Sequence, residues 1–178
     1  MPHKLIIELS DRDLRQFRGE LRKSRASVGI ADDTEILAAA AELIASMRAS
    51  RLPDFVAARL TKLEMMLAMV ADSEWSLSNR ERSPVLAALA YLCDPEDIIH
   101  DAVPGVGLLD DAVMIELVSI ELRHEIEAYA DFLRFRESLS PSRTKRSTET
   151  ATKSRLENRR KQLMARMRRR KAADATRR

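Results

Sequence analysis

The stretch from Ser83 to Glu116, SPVLAALAYLCDPEDIIHDAVPGVGLLDDAVMIE, holds three of the chain's six prolines and two of its four glycines. Two of these prolines follow a residue suited to cap a helix, and the third lies in a turn. Ser83-Pro84 is a cap followed by proline at the first helical position, where the missing N–H is one the helix would leave unpaired anyway. The spacing predicts a helix from there to Leu92 or Cys93. Asp94-Pro95 repeats the device for a single turn ending near His100. Val103-Pro104-Gly105-Val106-Gly107 is a turn, and a long helix is expected from Asp110 or Asp111, apolar nearly all round as far as Ile120. Past Ile120 it narrows to one stripe, Leu122, Ile126, Tyr129 and Leu133. Its first half is therefore expected at the centre of a bundle and its second half at the surface.

The chain before this stretch follows the same logic. Ile36, Leu37, Ala40, Leu43, Ile44 and Met47 recur at helical spacing behind a cap at Asp32 or Asp33. Pro53 starts another helix, with Phe55, Val56, Leu60, Leu63, Met66, Leu67 and Val70 on its inner face. A first helix is expected from Ser10 to about Ser24. Asp72 to Arg82 is a polar connection whose Trp75 and Leu77 fold back onto the bundle. Only Lys4 to Leu9 alternates like a short strand or extended arm. Aromatics at 4% and abundant Ala, Leu, Glu, Arg and Met suit helices, not a β-sandwich. The expected fold is an all-α bundle of about five helices. Residues 1–82 form its N-terminal part, 83–137 complete it, and 138–178 follow as a basic, flexible tail with a terminal helix.

Charge divides the chain. Residues 141–178 carry fifteen Lys or Arg against three acids, a net +12, which leaves sixteen basic and twenty-five acidic residues in 1–140, a net −9. Such asymmetry marks an interaction tail. Arg155 to Lys171 reads as a basic helix with Leu156, Leu163, Met164 and Met167 on one side, too thinly apolar to stand alone. Arg159, Arg160, Lys161, Arg166, Arg168, Arg169, Arg170 and Lys171 are its candidate contacts to an anionic partner: a membrane surface, a nucleic acid or an acidic protein. Folding back onto the acidic body is a further placement. The single cysteine, Cys93, excludes an internal disulfide and reads as a small buried hydrophobe. No window approaches the ~18 apolar residues a membrane span needs. The chain is expected in the cytoplasm or lying against a membrane surface, and a homo-oligomer is compatible with its helical faces.

The run LAALAYLCDPEDIIHDAVPGVGLLDDAV resembles the signature of the YkvA-like family, a small bacterial domain of unknown function. In that family an apolar helix leads into P-x-D-[IL]-I-P-D-x-[IV]-P-x-[IVL]-G-x-x-D-D. Pro95, Asp97, Ile98, Ile99, Asp101, Val103, Pro104, Val106, Gly107, Asp110 and Asp111 match position by position, and His100 stands where the family usually has proline. The resemblance implies no established reaction.

The aspartates of this stretch are the sharpest chemical suggestion. Asp97, Asp101, Asp110 and Asp111, with His100 nearby, are oxygen and nitrogen donors suited to Mg²⁺ or Mn²⁺, and such a centre would support hydrolysis of a phosphate ester. The competing reading, which we favour, makes Asp94, Asp110 and Asp111 helix caps and Asp101 a turn former. No nucleophile–base constellation can be assembled, and no catalytic residue is assigned. The leading expectation is a non-enzymatic helical adaptor; the alternatives are a divalent-metal hydrolase and a ribbon-helix-helix DNA binder built on residues 4–48. In the last, Lys4, Ile6 and Glu8 would face the groove, and an acid there repels phosphate. The double variant Asp110→Asn/Asp111→Asn separates caps from ligands. Because Asn caps nearly as well as Asp, the melting temperature is expected to move little, with no metal-dependent rise in either protein. A saturable rise with Mn²⁺ in the wild type alone would make these residues ligands.

Overall fold

Burial of wide apolar helix faces sets the architecture. The computed structural model describes Ser10, five positions between Arg12 and Lys23, and residues 32–49, 54–93, 109–139 and 149–176. Those residues hold six long helices and no strand: α1 (Asp33–Ala49), α2 (Asp54–Ala71), α3 (Asn79–Leu92), α4 (Leu109–Glu121), α5 (Arg123–Ser138) and α6 (Glu149–Thr176). Arg12, Arg15, Gln16, Gly19 and Lys23 are also helical, behind the non-helical Ser10. The strand or arm expected over Lys4–Leu9 and the single turn after Pro95 lie outside the described residues.

The central element is α2, which packs against α1, α3, α4 and α5. Its Val56, Leu60, Leu63, Met66, Met69 and Val70 are buried, two positions per turn on one broad face. From α1, Ile36, Ala40, Ile44 and Met47 meet it, and α4 contributes Ala112, Met114, Ile115 and Val118. Cys93 is half-buried against the same core.

Two helix boundaries depart from expectation. α3 begins at Asn79, not Ser83, so Pro84 falls inside the helix. The reason is Glu81: its Oε2 accepts hydrogen bonds from the Ser78 amide at 3.2 Å and the Ser78 hydroxyl at 2.5 Å, and this cap holds the start a turn earlier. The long helix expected from Asp110 bends at Leu122, where α4 hands over to α5. Leu122 is buried and the hydrogen bonds run across the bend, from the Leu122 amide to the Val118 carbonyl at 2.8 Å and from Ile126 to Leu122 at 3.0 Å. The bend falls where the apolar pattern contracts to a single stripe.

The 72–78 connection is built on Asp72. Its Oδ1 accepts the amides of Glu74 and Trp75, and its Oδ2 accepts the Tyr129 hydroxyl at 3.0 Å and the Arg136 guanidinium at 2.8 Å. Ser76 takes a left-handed conformation (φ 46°), which lets the chain turn back within a few residues. Trp75 is thereby driven inside, fully buried, with ring centroids 5.6 Å from Tyr129 and 5.1 Å from Phe132. Leu77 packs at the edge of the same core.

Burial and the bond to Asp72 push the Tyr129 hydroxyl up to about 12. A group whose folded value is raised contributes stability that is complete below its ordinary value of 10.0 and is lost as pH climbs toward about 12. Stability is therefore expected to fall by about 2 kcal/mol over that alkaline interval. Tyr129→Phe should flatten the fall, measured by denaturant melts at stepped pH.

Candidate functional site

α6 is rich in strong helix formers, Arg, Lys, Leu, Met, Gln and Ala, which is why a mostly polar segment holds 28 residues of helix. The packing is the fold-back onto the acidic body, which the sequence offered only as a further placement. Residues 149–176 lie along α5, and Leu163, Met164 and Met167 are buried there, with Leu156 half-buried. The partner on which this helix orders is the chain's own body. In consequence the half of the long helix expected at the surface is covered along one side: Glu125, Ala128, Tyr129 and Phe132 are buried, and His124 and Glu125 are part of the seam.

Acids and bases meet across the seam from Arg166 to Asp174. Arg166 pairs with Asp131, Arg168 with Glu81 at 2.8 Å, Arg170 with Glu127 at 2.9 Å, and Lys171 with the fully buried Glu125. Arg160 donates to the carbonyls of Trp75 at 3.2 Å and Ser76 at 3.1 Å, which the tight turn leaves without helical partners. The Arg159 guanidinium sits 5.5 Å over the Phe135 ring, a cation–π contact. At the far end Asp174 stands near the C-terminus of α6, where the helix dipole disfavours an acid. It is held there by Arg123 and by His124, whose Nε2 lies 2.7 Å from the carboxylate.

The carboxyls register this pairing. The Arg166 guanidinium holds the Asp131 carboxyl below the usual aspartate range against some burial, with Arg134 assisting. Burial pushes Glu81 up, but Arg168 and the Ser78 cap outweigh it and the net shift is down. The bond to His124 lowers Asp174, with Arg123 adding to it. Each contributes stability that is complete above its ordinary value and disappears as pH drops through the lower folded value. The seam is therefore expected to be intact at neutral pH.

Of the eight basic candidates, Arg159, Arg160, Arg166, Arg168, Arg170 and Lys171 have partners across the seam. Lys161 pairs within α6 with Glu157 at 2.7 Å, and Arg169 is exposed with no partner among the described residues. A cavity of about 400 Å³ opens where α4 meets α5, walled by Pro84, Glu121, Arg123, His124, Lys171 and Asp174. Its walls offer no hydroxyl or thiol nucleophile, and His124, Arg123, Lys171 and Asp174 already pair with protein groups. Among the described residues no group of three or more His, Cys, Asp or Glu is placed to hold a metal ion. Asp97, His100 and Asp101 lie outside those residues. The backbone places Asp110 and Asp111 in the first turn of α4, and their side chains are outside the description. No described helix is long and apolar enough to cross a membrane.

Sequence reasoning missed the acidic half of the seam. The signal was present: Glu127 and Asp131 stand four apart on one helix face, and Glu81 sits three residues after Ser78. A family model described as a protein of unknown function, DUF1232, matches residues 84–117. The chain is similar to that family over this stretch, which runs from inside α3 into α4. No curated protein and no solved structure matches. The matched stretch is the one that carries the motif of prolines, glycines and aspartates described above, and α6 lies outside it.

Glu125 and Lys171 provide the test of the seam. Lys171→Ala leaves a buried carboxylate without its counter-ion and is expected to cost about 3 kcal/mol in urea melts. Glu125→Leu/Lys171→Met, which removes both charges while keeping volume, should recover most of that loss.

Proposed function

We propose that the protein is a non-enzymatic helical adaptor of YkvA-like type, and that α6 is the element that engages an anionic partner. The observation that carries this reading is the outward face of α6. Arg155 and Arg169 are exposed there without partners among the described residues, and Lys161 stands beside them. Arg168 and Arg170 pair inward yet keep 62% and 51% of their side chains exposed, so their guanidinium groups still face water. Glu157 and Asp174 are the acids of α6 with described side chains, and both are neutralised by neighbours. A bundle of net negative charge thus wears a positive ridge, which attracts polyanions and repels cations locally.

An adaptor also fits what the described residues offer chemically. The cavity walls carry no hydroxyl or thiol nucleophile, and their charged groups Arg123, Asp174 and Lys171 pair with protein groups.

The test is Arg155→Glu/Arg169→Glu. Neither side chain supports the fold, so the melting temperature is expected to hold. Binding to phosphate-bearing polyanions (duplex DNA, RNA and phosphatidylglycerol vesicles) should be salt-dependent in the wild type and weaker by about tenfold in the variant at low salt. Binding that is equal in the two proteins, or absent from all three probes at low salt, would refute the ridge.

A further inference from the structure

Four buried polar side-chain atoms lack a hydrogen-bond partner among the described residues, and three of them belong to α6 or to the α5 residues beneath it. The four are Arg159 Nε on α6, His124 Nδ1 and Glu125 Oε2 on α5, and Trp75 Nε1 in the turn whose carbonyls Arg160 holds. A helix that is permanently part of a core has its buried polar groups paired, because each unmet one weakens the contact. The seam is also thin in apolar area, with three buried side chains from a helix of 28 residues. The remaining contacts include charge pairs, through Arg166, Arg168, Arg170 and Lys171. Guanidinium groups paired to carboxylates can exchange them for phosphate oxygens of similar geometry.

We infer that α6 is a releasable latch whose alternative seat is an anionic lipid surface. The inference rests on the anionic-partner reading above and adds to it the class of partner and the uncovering of α5. Off the body, α6 shows Leu156, Leu163, Met164 and Met167 along one side, with Arg159, Arg160, Arg166 and Lys171 flanking them. A nucleic-acid backbone would pair the arginines but leave that apolar side in water, and α6 has no aromatic residue to stack on a base. A bilayer interface takes both, with the apolar side at the acyl boundary and the basic groups at headgroup phosphates. The same arginines cannot hold carboxylates and phosphates together, so lipid binding and docking compete. Release lays open the α5 stripe of His124, Ala128, Asp131 and Phe135, which α6 covers at neutral pH in the absence of lipid.

The full-length chain tests this without truncation. Ala128 is 2% exposed and shares its stripe with residues that contact α6. In a Cys93→Ser background, the thiol introduced by Ala128→Cys should react slowly with a water-soluble maleimide. Phosphatidylglycerol vesicles are expected to speed that reaction at least about tenfold, and phosphatidylcholine vesicles to leave it unchanged. Trp75, the only tryptophan, gives a variant-free readout in the wild type. Its emission should move to longer wavelength in the anionic titration alone.

If anionic vesicles bind the protein while Ala128→Cys stays protected and the Trp75 emission holds, α6 binds without leaving its seat. The latch is then overturned and the anionic-partner reading survives. Uncovering by DNA or RNA but not by vesicles overturns the lipid assignment. Loss of binding to every polyanion removes both readings together. Should Ala128→Cys fail to fold, the wild-type Trp75 titration decides.

Discussion

The packing of α5 between two different kinds of surface is the constraint on which the rest of the structure depends. One side rests on a buried cluster in which the rings of Trp75, Tyr129 and Phe132 meet at close range. The other faces α6 through acids. These two contacts are unequal in kind. The aromatic side buries large rings whose removal from water is worth several kcal/mol and is insensitive to salt. The α6 side exchanges hydration for charge pairing, and pairs that remain partly exposed contribute little net stability. A hierarchy follows directly. The bundle of α1 to α5 carries the stability, and α6 is fastened to it by the weaker of the two contacts.

Asp72 links these levels. One carboxylate shapes the turn through two backbone amides and, through Tyr129 and Arg136, ties the turn to α5. Arg136 also lies 5.5 Å over the Phe132 ring, so the cation closes the aromatic cluster from outside. The turn in turn supplies the two carbonyls that receive Arg160. The route from core to α6 is therefore a chain of physical contacts: Phe132, Trp75, the 75–76 backbone, Arg160. A change at the seam reaches the only tryptophan within one residue's contact.

Much of the fold was legible in periodicity. Most of the apolar positions expected in α1 and α2 are buried, because one face of a helix against one core leaves little freedom. Leu37, Leu43, Phe55 and Leu67 are only partly so, and Met69 is buried in addition. The inward return of Trp75 was also legible, since a large ring in a polar connection has few other places to go. What failed did so for non-local reasons. Ser83-Pro84 is a good helix start in isolation, but Glu81 binds Ser78 more favourably and the helix starts there. The docking of α6 depends on acids more than twenty residues away on other helices, and local pattern cannot rank one long-range partner above another. The net charges of the two parts showed that a contact was favourable without showing where it falls. The candidate metal residues illustrate a further limit: caps and ligands call for the same carboxylates at the same helix starts.

Charge placement also bears on what kind of function this bundle can support. Catalysis needs groups held in a reactive state, with a proton or lone pair kept available. Here the polar groups at the α5–α6 junction neutralise one another: Asp174 with Arg123 and His124, Glu125 with Lys171. Pairing of that type favours a well-defined docked geometry at the expense of reactivity. It also makes the geometry conditional, because every bond in it has a competitor among anions in solution or on a surface. On the reading proposed above, this element, held by exchangeable contacts and bearing unmet polar atoms, is the binding segment. The described cavity, walled by the same charges, lies at the end of that seam.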